Sequence, residues 1–382
     1  MASIVILGGG VGGLVAANRL RRRLDRKHRV ILIDRQAQHV FTPSFLWMML
    51  GWREPSEISR DLSRLGRKGI EVVQEEIREI DPAHRRVSTE RQEIAADYLV
   101  ISLGAEGWLG GVPSLADAGH NLYDLDGTLG LRDALGRFSG GRVAILIAGL
   151  PFKCPAAPYE AAMLIEASLR RRGLREGTQV DVYTPETLPM PVAGKAVGET
   201  IKAMVEGKGI GFHPQRKLVA VDPERRELAF EGGSTAAYDL LVVVPPHRCP
   251  AVVRGAGLTG ETGWVPVDKG TLETSHERVF AIGDVTGIKL PVGLMLPKAG
   301  VFAHAQAEAV AHNIAAAITG QGAPESFDGA GYCYVEMGDG VAAYAKGNFY
   351  AEPAPAVTMR SPSRLWHWGK IYFEKWWLRR WF

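Results

Sequence analysis

The sequence predicts an α/β chain of two Rossmann-like domains, the second inserted in the first, followed by a separate C-terminal segment. Three observations carry that reading. Residues 3–34 run as strand, glycine turn, helix and strand. Apolar strand-like runs then recur at Tyr98–Gly104, Arg142–Leu150, Gln179–Tyr183, Leu240–Val244 and Val279–Ile282, with helical stretches between several of them. Strands alternating with helices are the pattern of a parallel sheet covered on both faces, and 382 residues suffice for two cores.

In the first unit, Ile4–Leu7 feeds Gly8-Gly9-Gly10-Val11-Gly12-Gly13, a helix through Leu14–Leu24, and the strand Val30–Asp34. Gly8, Gly10 and Gly13 fit G-x-G-x-x-G, and Asp34 closes the second strand. A pyrophosphate would rest on the helix N-terminus, where free N–H groups favour an anion, and Asp34 would accept a ribose hydrogen bond. A glycine turn without a ligand is the bland alternative. The flanking strand, helix and acid weigh against it.

Tyr98–Ala105 ends a buried strand in Gly104, and Val279–Asp284 ends another in Gly283-Asp284. With the first fingerprint, these resemble the FAD-domain motifs of the two-dinucleotide-binding-domain, glutathione-reductase-like flavoproteins. The resemblance implies FAD as a non-covalent cofactor, Asp284 on the ribityl chain, and the backbone near Ile77 beside the adenine. Arg35 and Pro43 are placed with Gly8, Gly10, Gly13, Asp34, Gly104, Gly283 and Lys298 as cofactor-binding residues. Residues 1–110 and 265–320 form the expected FAD domain and 111–264 the inserted domain, with a helix over Ala156–Arg172. The helix Pro297–Ile318 returns to the FAD domain. In the segment 321–382, Tyr332–Tyr344 has period-two features around Asp339-Gly340, a hairpin signal.

A net charge of +3 gives no reason to expect nucleic acid as a partner. Neither a signal peptide nor a stretch long enough to span a bilayer is visible, so the expected location is the cytoplasmic side of a membrane, peripheral or monotopic. Three cysteines make no disulfide scaffold, and no Cys/His spacing suits a metal.

The second nucleotide fingerprint is missing. Where the inserted domain would carry it, the chain reads Ala148-Gly149-Leu150-Pro151-Phe152-Lys153-Cys154-Pro155, too bulky and proline-rich to cradle a pyrophosphate. Cys154 lies ahead of a helix and beside Lys153, which predicts a stabilised thiolate. A buried structural cysteine is the alternative, and that is how Cys249 is read. Glu160, six residues on, suits either a general base or a helix N-terminal acid. Lys298 precedes a helix that would face the flavin, where a cation stabilises the reduced anion; a solvated Lys is the alternative. His120 and His247 are read as ordinary surface or core histidines.

Pro151–Glu160 resembles the first redox-cysteine motif of the sulfide:quinone oxidoreductases and flavocytochrome c sulfide dehydrogenases. Gly331-Tyr332-Cys333-Tyr334 resembles their second, and Phe41–Ser44 and Leu296–Gly300 extend the similarity over nearly the whole chain. The resemblance implies a redox-active Cys154/Cys333 disulfide attacked by hydrosulfide, and supports Glu160 as the acid–base group. Electrons then pass through FAD to a quinone. Many sulfide:quinone oxidoreductases carry a third redox cysteine, absent here between Met1 and Lys153. Sulfide, quinone and a membrane surface are the expected partners, with a homo-oligomer left open.

The tail Arg364–Phe382 is helix-compatible and rich in Trp with Lys and Arg, the composition of an interfacial helix. On a wheel, Leu365, Trp366, Tyr372, Phe373, Trp376 and Trp377 share an apolar side, and His367, Lys370 and Glu374 the other. That arrangement predicts the aromatics toward lipid; docking on the protein's own core is the alternative. Three rival functions remain. One is a flavocytochrome-type sulfide dehydrogenase, one a type II NADH:quinone dehydrogenase, which needs the missing fingerprint, and one a flavin-stabilised redox sensor without turnover.

Overall fold

The structure, a computed structural model, describes residues 1–382. Strand β1 (Ser3–Leu7), helix α1 (Val11–Arg23), strands β2 (Arg29–Asp34), β3 (Glu71–Gln74) and β4 (Tyr98–Ile101) build the first domain. Strands β5 (His120–Asn121) and β6 (Gly141–Ile147), helix α2 (Ala157–Arg171), and strands β7 (Thr178–Tyr183), β8 (Gly211–His213) and β9 (Leu240–Val244) build the second. The chain returns through β10 (Val279–Ala281) and helix α3 (Gly300–Thr319). It ends in β11 (Ala330–Gly338), β12 (Val341–Asn348), β13 (Ala356–Ser363) and helix α4 (Arg364–Arg380).

Two five-stranded parallel sheets result, ordered β10-β4-β1-β2-β3 and β5-β9-β6-β7-β8. The central strands are buried without interruption, Ile4–Leu7 in one sheet and Val143–Ile147 in the other, because helices cover one face and a three-stranded antiparallel sheet packs on the other, Ile77, Ile80 and Val87 in the first domain and Leu218, Leu228 and Phe230 in the second. Strand β10 joins the first sheet some 178 residues after β4 (279 minus 101). The first domain is thus closed by chain that follows the whole insertion.

The predicted hairpin is β11–β12, antiparallel, with Tyr332 opposite Lys346 and Cys333 opposite Ala345. Its turn residues Asp339 and Gly340 have φ of 56° and 69°, the positive pair that matches strand twist. Cys333, Val335 and Ala343 face α2 and the second core. On the other face Tyr344 stacks on Trp366 of α4, ring centroids 4.6 Å apart.

Helix α4 buries parts of both sides. From the polar side Glu374 is fully buried and Lys370 nearly so; from the apolar side Trp377 is buried, with Trp381 beyond it, in the first domain's core, and Phe373 and Trp376 pack against that core. Each charge meets a partner inside. Lys370 Nζ donates to Glu160 Oε1 at 2.6 Å, Arg53 holds the Glu374 carboxylate at 2.9–3.0 Å, and His367 Nδ1 stands 3.0 Å from both Glu336 oxygens. Paired charges can be buried where lone ones cannot, and the wheel did not show these partners. Leu365, Trp368 and Tyr372 remain outward, 68%, 65% and 71% exposed.

Candidate active site

A cavity of about 1590 Å³ runs from the glycine turn of the first domain to the hairpin and the tail helix. At its first end, an added Cβ on Gly10 or on Gly104 would meet nothing within 4 Å, so both backbones face open space. Gly13 serves another purpose, since a Cβ there would lie 1.8 Å from the Gly8 oxygen. The glycine lets α1 close on β1. No side chain caps α1, which leaves its first N–H groups free toward the cavity. An open glycine turn under an uncapped helix fits a dinucleotide pyrophosphate.

Asp34 lines the same end, its carboxylate accepting from Gly9 N at 2.6 Å and Gln36 N at 2.7 Å. Burial raises its pKa against those hydrogen bonds. Arg35, Pro43, Ile77, Gly283 and Asp284 also line the cavity, Arg35 pairing with Glu76 at 3.4 Å. Gly8 and Gly283 hold φ of 98° and 75°, which favour glycine. Lys298 also lines the cavity and is buried rather than solvated. Its ammonium donates to the carbonyls of Asp284 (2.6 Å) and Thr286 (3.3 Å) and lies 3.2 Å from the Trp264 ring centroid. Burial lowers its pKa to about 8. That head group is already committed to protein partners.

At the far end the walls are Cys154, Glu160, Cys333 and Lys370. Cys154 sits at φ 50° ahead of α2, its N–H donating to Lys298 O at 2.7 Å and its carbonyl accepting from Ala157 N at 2.9 Å. The surroundings work against the predicted thiolate. Burial and the Glu160 carboxylate push the Cys154 thiol up to about 12, with only Lys370 and the Ala157 N–H opposing. Desolvation outweighs the helix terminus, and Lys153 acts on Asp284 and His247 instead. Cys333 is held well above the ordinary thiol range by burial, then by the charges of Glu160 and Cys154. Both cysteines are free thiols that feel one another and the same ion pair.

Glu160 is buried at the centre of this wall. Its Oε1 accepts from Lys370 Nζ at 2.6 Å and from Glu336 N at 2.8 Å. Burial raises its pKa, chiefly against the attraction of Lys370. Lys370 itself is raised, because Glu160 and Glu336 outweigh its own burial. Sequence reasoning missed Lys370, Glu336, His367 and Arg53. The available signal was a pair of carboxylates, Glu160 and Glu336, set in otherwise apolar segments that need cations from elsewhere.

The other assignments separate cleanly. Cys249 is buried in the first domain's core beside Val253 and Trp264, and burial lifts its thiol to about 11. His247 is buried and neutral, lowered to about 3 by desolvation; Nδ1 bonds Pro245 O, while Nε2 has no partner, so it is not the fully satisfied histidine expected. His120 is partly buried and lowered by desolvation. In the second domain, Glu186 follows β7 near where a nucleotide-binding acid would stand. It is consumed internally, bonded to Tyr159 Oη at 2.5 Å and Thr184 Oγ1 at 3.2 Å, with a pKa raised by burial to about 7. The adjacent Gly149 faces Pro246 rather than open space.

Residues 2–311 match the family model described as pyridine nucleotide-disulphide oxidoreductase. A mitochondrial sulfide:quinone oxidoreductase of Dictyostelium discoideum is 30% identical over 304 residues, covering 75% of this chain and 66% of that protein, just under two thirds of its length. A sulfide-quinone reductase of Aquifex aeolicus is 27% identical over 402 residues, 98% of this chain and 90% of the relative. The X-ray structure of the Aquifex aeolicus sulfide:quinone oxidoreductase superposes with a TM-score of 0.88 at 24% identity, covering 100% of this chain and 91% of that one.

Proposed function

The chain belongs to the pyridine nucleotide-disulphide oxidoreductase family, and from that premise we propose that it oxidises sulfide at the Cys154/Cys333 wall and passes the electrons to a quinone. One observation carries the proposal. The cavity that begins at an open nucleotide cradle ends at two cysteines and a buried Glu160–Lys370 pair. The relatives named for sulfide and quinone support it. The cofactor is FAD, which supplies a two-electron carrier when bound. Gly8, Gly10, Asp34, Gly104 and Asp284 would hold it, and Gly13 lets α1 close behind them.

In this reading the two cysteines rest as a disulfide. Hydrosulfide attacks one sulfur, a new S–S bond forms, the old one breaks, and a thiolate leaves on the partner cysteine. Glu160 takes the persulfide proton, a task suited to a carboxyl whose pKa burial has raised. Lys370 offsets the negative charge left behind. Buried thiols of high pKa do not hinder this start, because a resting disulfide carries no proton.

The quinone would enter beside Tyr332, Phe373 and Trp376, aromatic residues lining the cavity where the hairpin meets the tail. Tyr332 and Phe373 meet edge to face at 6.2 Å. The outward stripe Leu365, Trp368 and Tyr372, with exposed Arg364, Arg379 and Arg380 on the same helix, would rest in the headgroup plane. No helix is long and apolar enough to cross a membrane. A nicotinamide donor is disfavoured because the second domain has a closed turn and a committed Glu186 in place of a cradle.

The test is an anaerobic absorbance titration of the flavin-loaded protein with sulfide, then a short-chain quinone, run beside NADH. Sulfide should bleach the flavin and quinone restore it, and Cys154→Ser and Cys333→Ser should lose the bleaching while keeping the flavin. Bleaching by NADH and not by sulfide would overturn the proposal.

A further inference from the structure

The sulfur wall has a second connection to the surface, built from ionisable side chains. Glu160 Oε1 accepts from both Lys370 Nζ (2.6 Å) and the backbone N–H of Glu336 (2.8 Å). The Glu336 carboxylate, fully buried, is held at 3.0 Å by His367 Nδ1. Lys370 and His367 lie three residues apart on α4, one helical turn, and so share a face. His367 lines a separate small surface pocket with Trp47, Trp52, Arg53, Arg171 and Ile371. Trp47 belongs to both cavities and divides them.

Resting on the sulfide-oxidation reading above, we propose that Glu160, Lys370, Glu336 and His367 form a proton relay carrying the persulfide proton from the sulfur wall to this second pocket. The bookkeeping is simple. Each sulfide bound as hydrosulfide leaves one proton on the persulfide sulfur when it joins a cysteine. Glu160 accepts it and shares it with Lys370; the Glu336 carboxylate, whose charge Lys370 feels without touching it, receives it across one bridging water and passes it to His367. His367 gives it to solvent in the pocket, while the electron pair stays with sulfur and leaves through the flavin. Nδ1 is committed to Glu336, which leaves Nε2 for water.

The surroundings suit the task. His367 is faced by the carboxylate of Glu336 from β11, by Arg53 and Arg171 across the pocket, and by Lys370 along its own helix. Arg53 is neutralised by Glu374, and both arginines stack on indole rings, Arg53 on Trp47 and Arg171 on Trp52, each at 4.8 Å. Histidine is the side chain that exchanges protons with water near neutral pH. A purely structural ion pair would not need the one titratable imidazole of the helix at the only pocket-facing end of the chain of charges.

The experiment is stopped-flow sulfide reduction of the flavin in the full protein, wild type against His367→Ala, between pH 6 and pH 9. The variant is expected to slow about a hundredfold, the low side of a positioned acid–base group, and to change the shape of the pH–rate profile over this range. Substituted imidazoles of similar size should restore the rate in order of their basicity. A conservative variant, Glu336→Gln, should show the same loss with no rescue. Unchanged rates and pH profile in His367→Ala, or rescue independent of basicity, would overturn the relay. Wild-type protein that sulfide does not bleach at all would instead sink the reading on which it rests.

Discussion

The two parallel sheets share the arrangement of four strands, β4-β1-β2-β3 and β9-β6-β7-β8, and differ sharply at the turn that follows β1 in one and β6 in the other. After β1 the chain makes an open glycine bend under an uncapped helix, with free space at Gly10. After β6, the corresponding bend is filled by Phe152, Cys154 and the prolines around it, and Gly149 faces Pro246. The acid near the second strand differs as well. Asp34 lines the cavity, while Glu186 is tied to Tyr159 and Thr184. One scaffold therefore carries an open glycine turn in one copy and a closed, cysteine-bearing turn in the other. The function lives in the strand-to-helix turn, not in the sheet.

The sharpest way to break this comparison is to fill each turn in the same way. Gly13→Ala would put a Cβ 1.8 Å from the Gly8 oxygen, and the expected result is purified protein with most of its flavin lost. Gly149→Ala meets only Pro246 at 3.1 Å, and should retain full flavin by absorbance. Equal flavin content in the two variants would erase the distinction between the turns.

Next in size is the sulfur wall. Glu160→Gln leaves the Lys370 ammonium buried without its partner, and such a loss costs about 3–5 kcal/mol, read as a lower unfolding midpoint. The same change removes the carboxylate that raises both thiols. Alkylation of Cys154 at pH 9 in the reduced protein should therefore speed up, and in Lys370→Met slow down. Movement of both variants in one direction would show that the wall is not set by this pair.

A smaller effect belongs to the second domain's acid. Glu186 is raised to about 7 when folded, against an ordinary value of 4.5. A raised carboxyl stabilises the fold fully below the unfolded value and loses that contribution as pH rises through the folded one. The contribution is about 3 kcal/mol at most, from 1.36 kcal/mol per pKa unit. The unfolding midpoint should fall between about pH 5 and pH 8, and Glu186→Gln should flatten that slope. The same slope in both proteins would remove Glu186 from the account. The smallest effect on stability is expected outside. Changing Leu365, Trp368 and Tyr372 together to Ser should move stability by within about 0.5 kcal/mol per residue. Co-sedimentation with anionic vesicles should drop several-fold, and unchanged sedimentation would detach the stripe from membrane binding.

The fold was readable because its signals are local. Ile4–Leu7 before three glycines, Leu240–Val244 as a continuous apolar run, and Asp339-Gly340 between alternating residues each announce an element over a few positions. The candidate site was half readable for the same reason: Cys154, Cys333 and Glu160 carry their motifs with them, and all three line one cavity. What escaped depends on distant partners. The thiolate expected at Cys154 ignored how deeply Ala157 and the hairpin bury it. The burial of Lys370 and Glu374 escaped because they look like a wetted face until Glu160 and Arg53, 210 and 321 residues away, are seen beside them. Long-range charge pairing leaves no periodicity to read.

The docking of α4 also has a consequence in time. Lys370 completes the sulfur wall, and Trp377 Nε1 bonds His39 at 3.3 Å, whose other nitrogen bonds the Gly9 carbonyl of the glycine turn at 2.9 Å. The Trp381 carbonyl accepts from Asn18 of α1 at 3.2 Å. These tail residues leave the ribosome after every other part of both sites. Until they dock, a growing chain has Glu160 without its ammonium partner and the glycine turn without the His39–Trp377 brace, so both ends of the cavity are completed together, by one late-made helix.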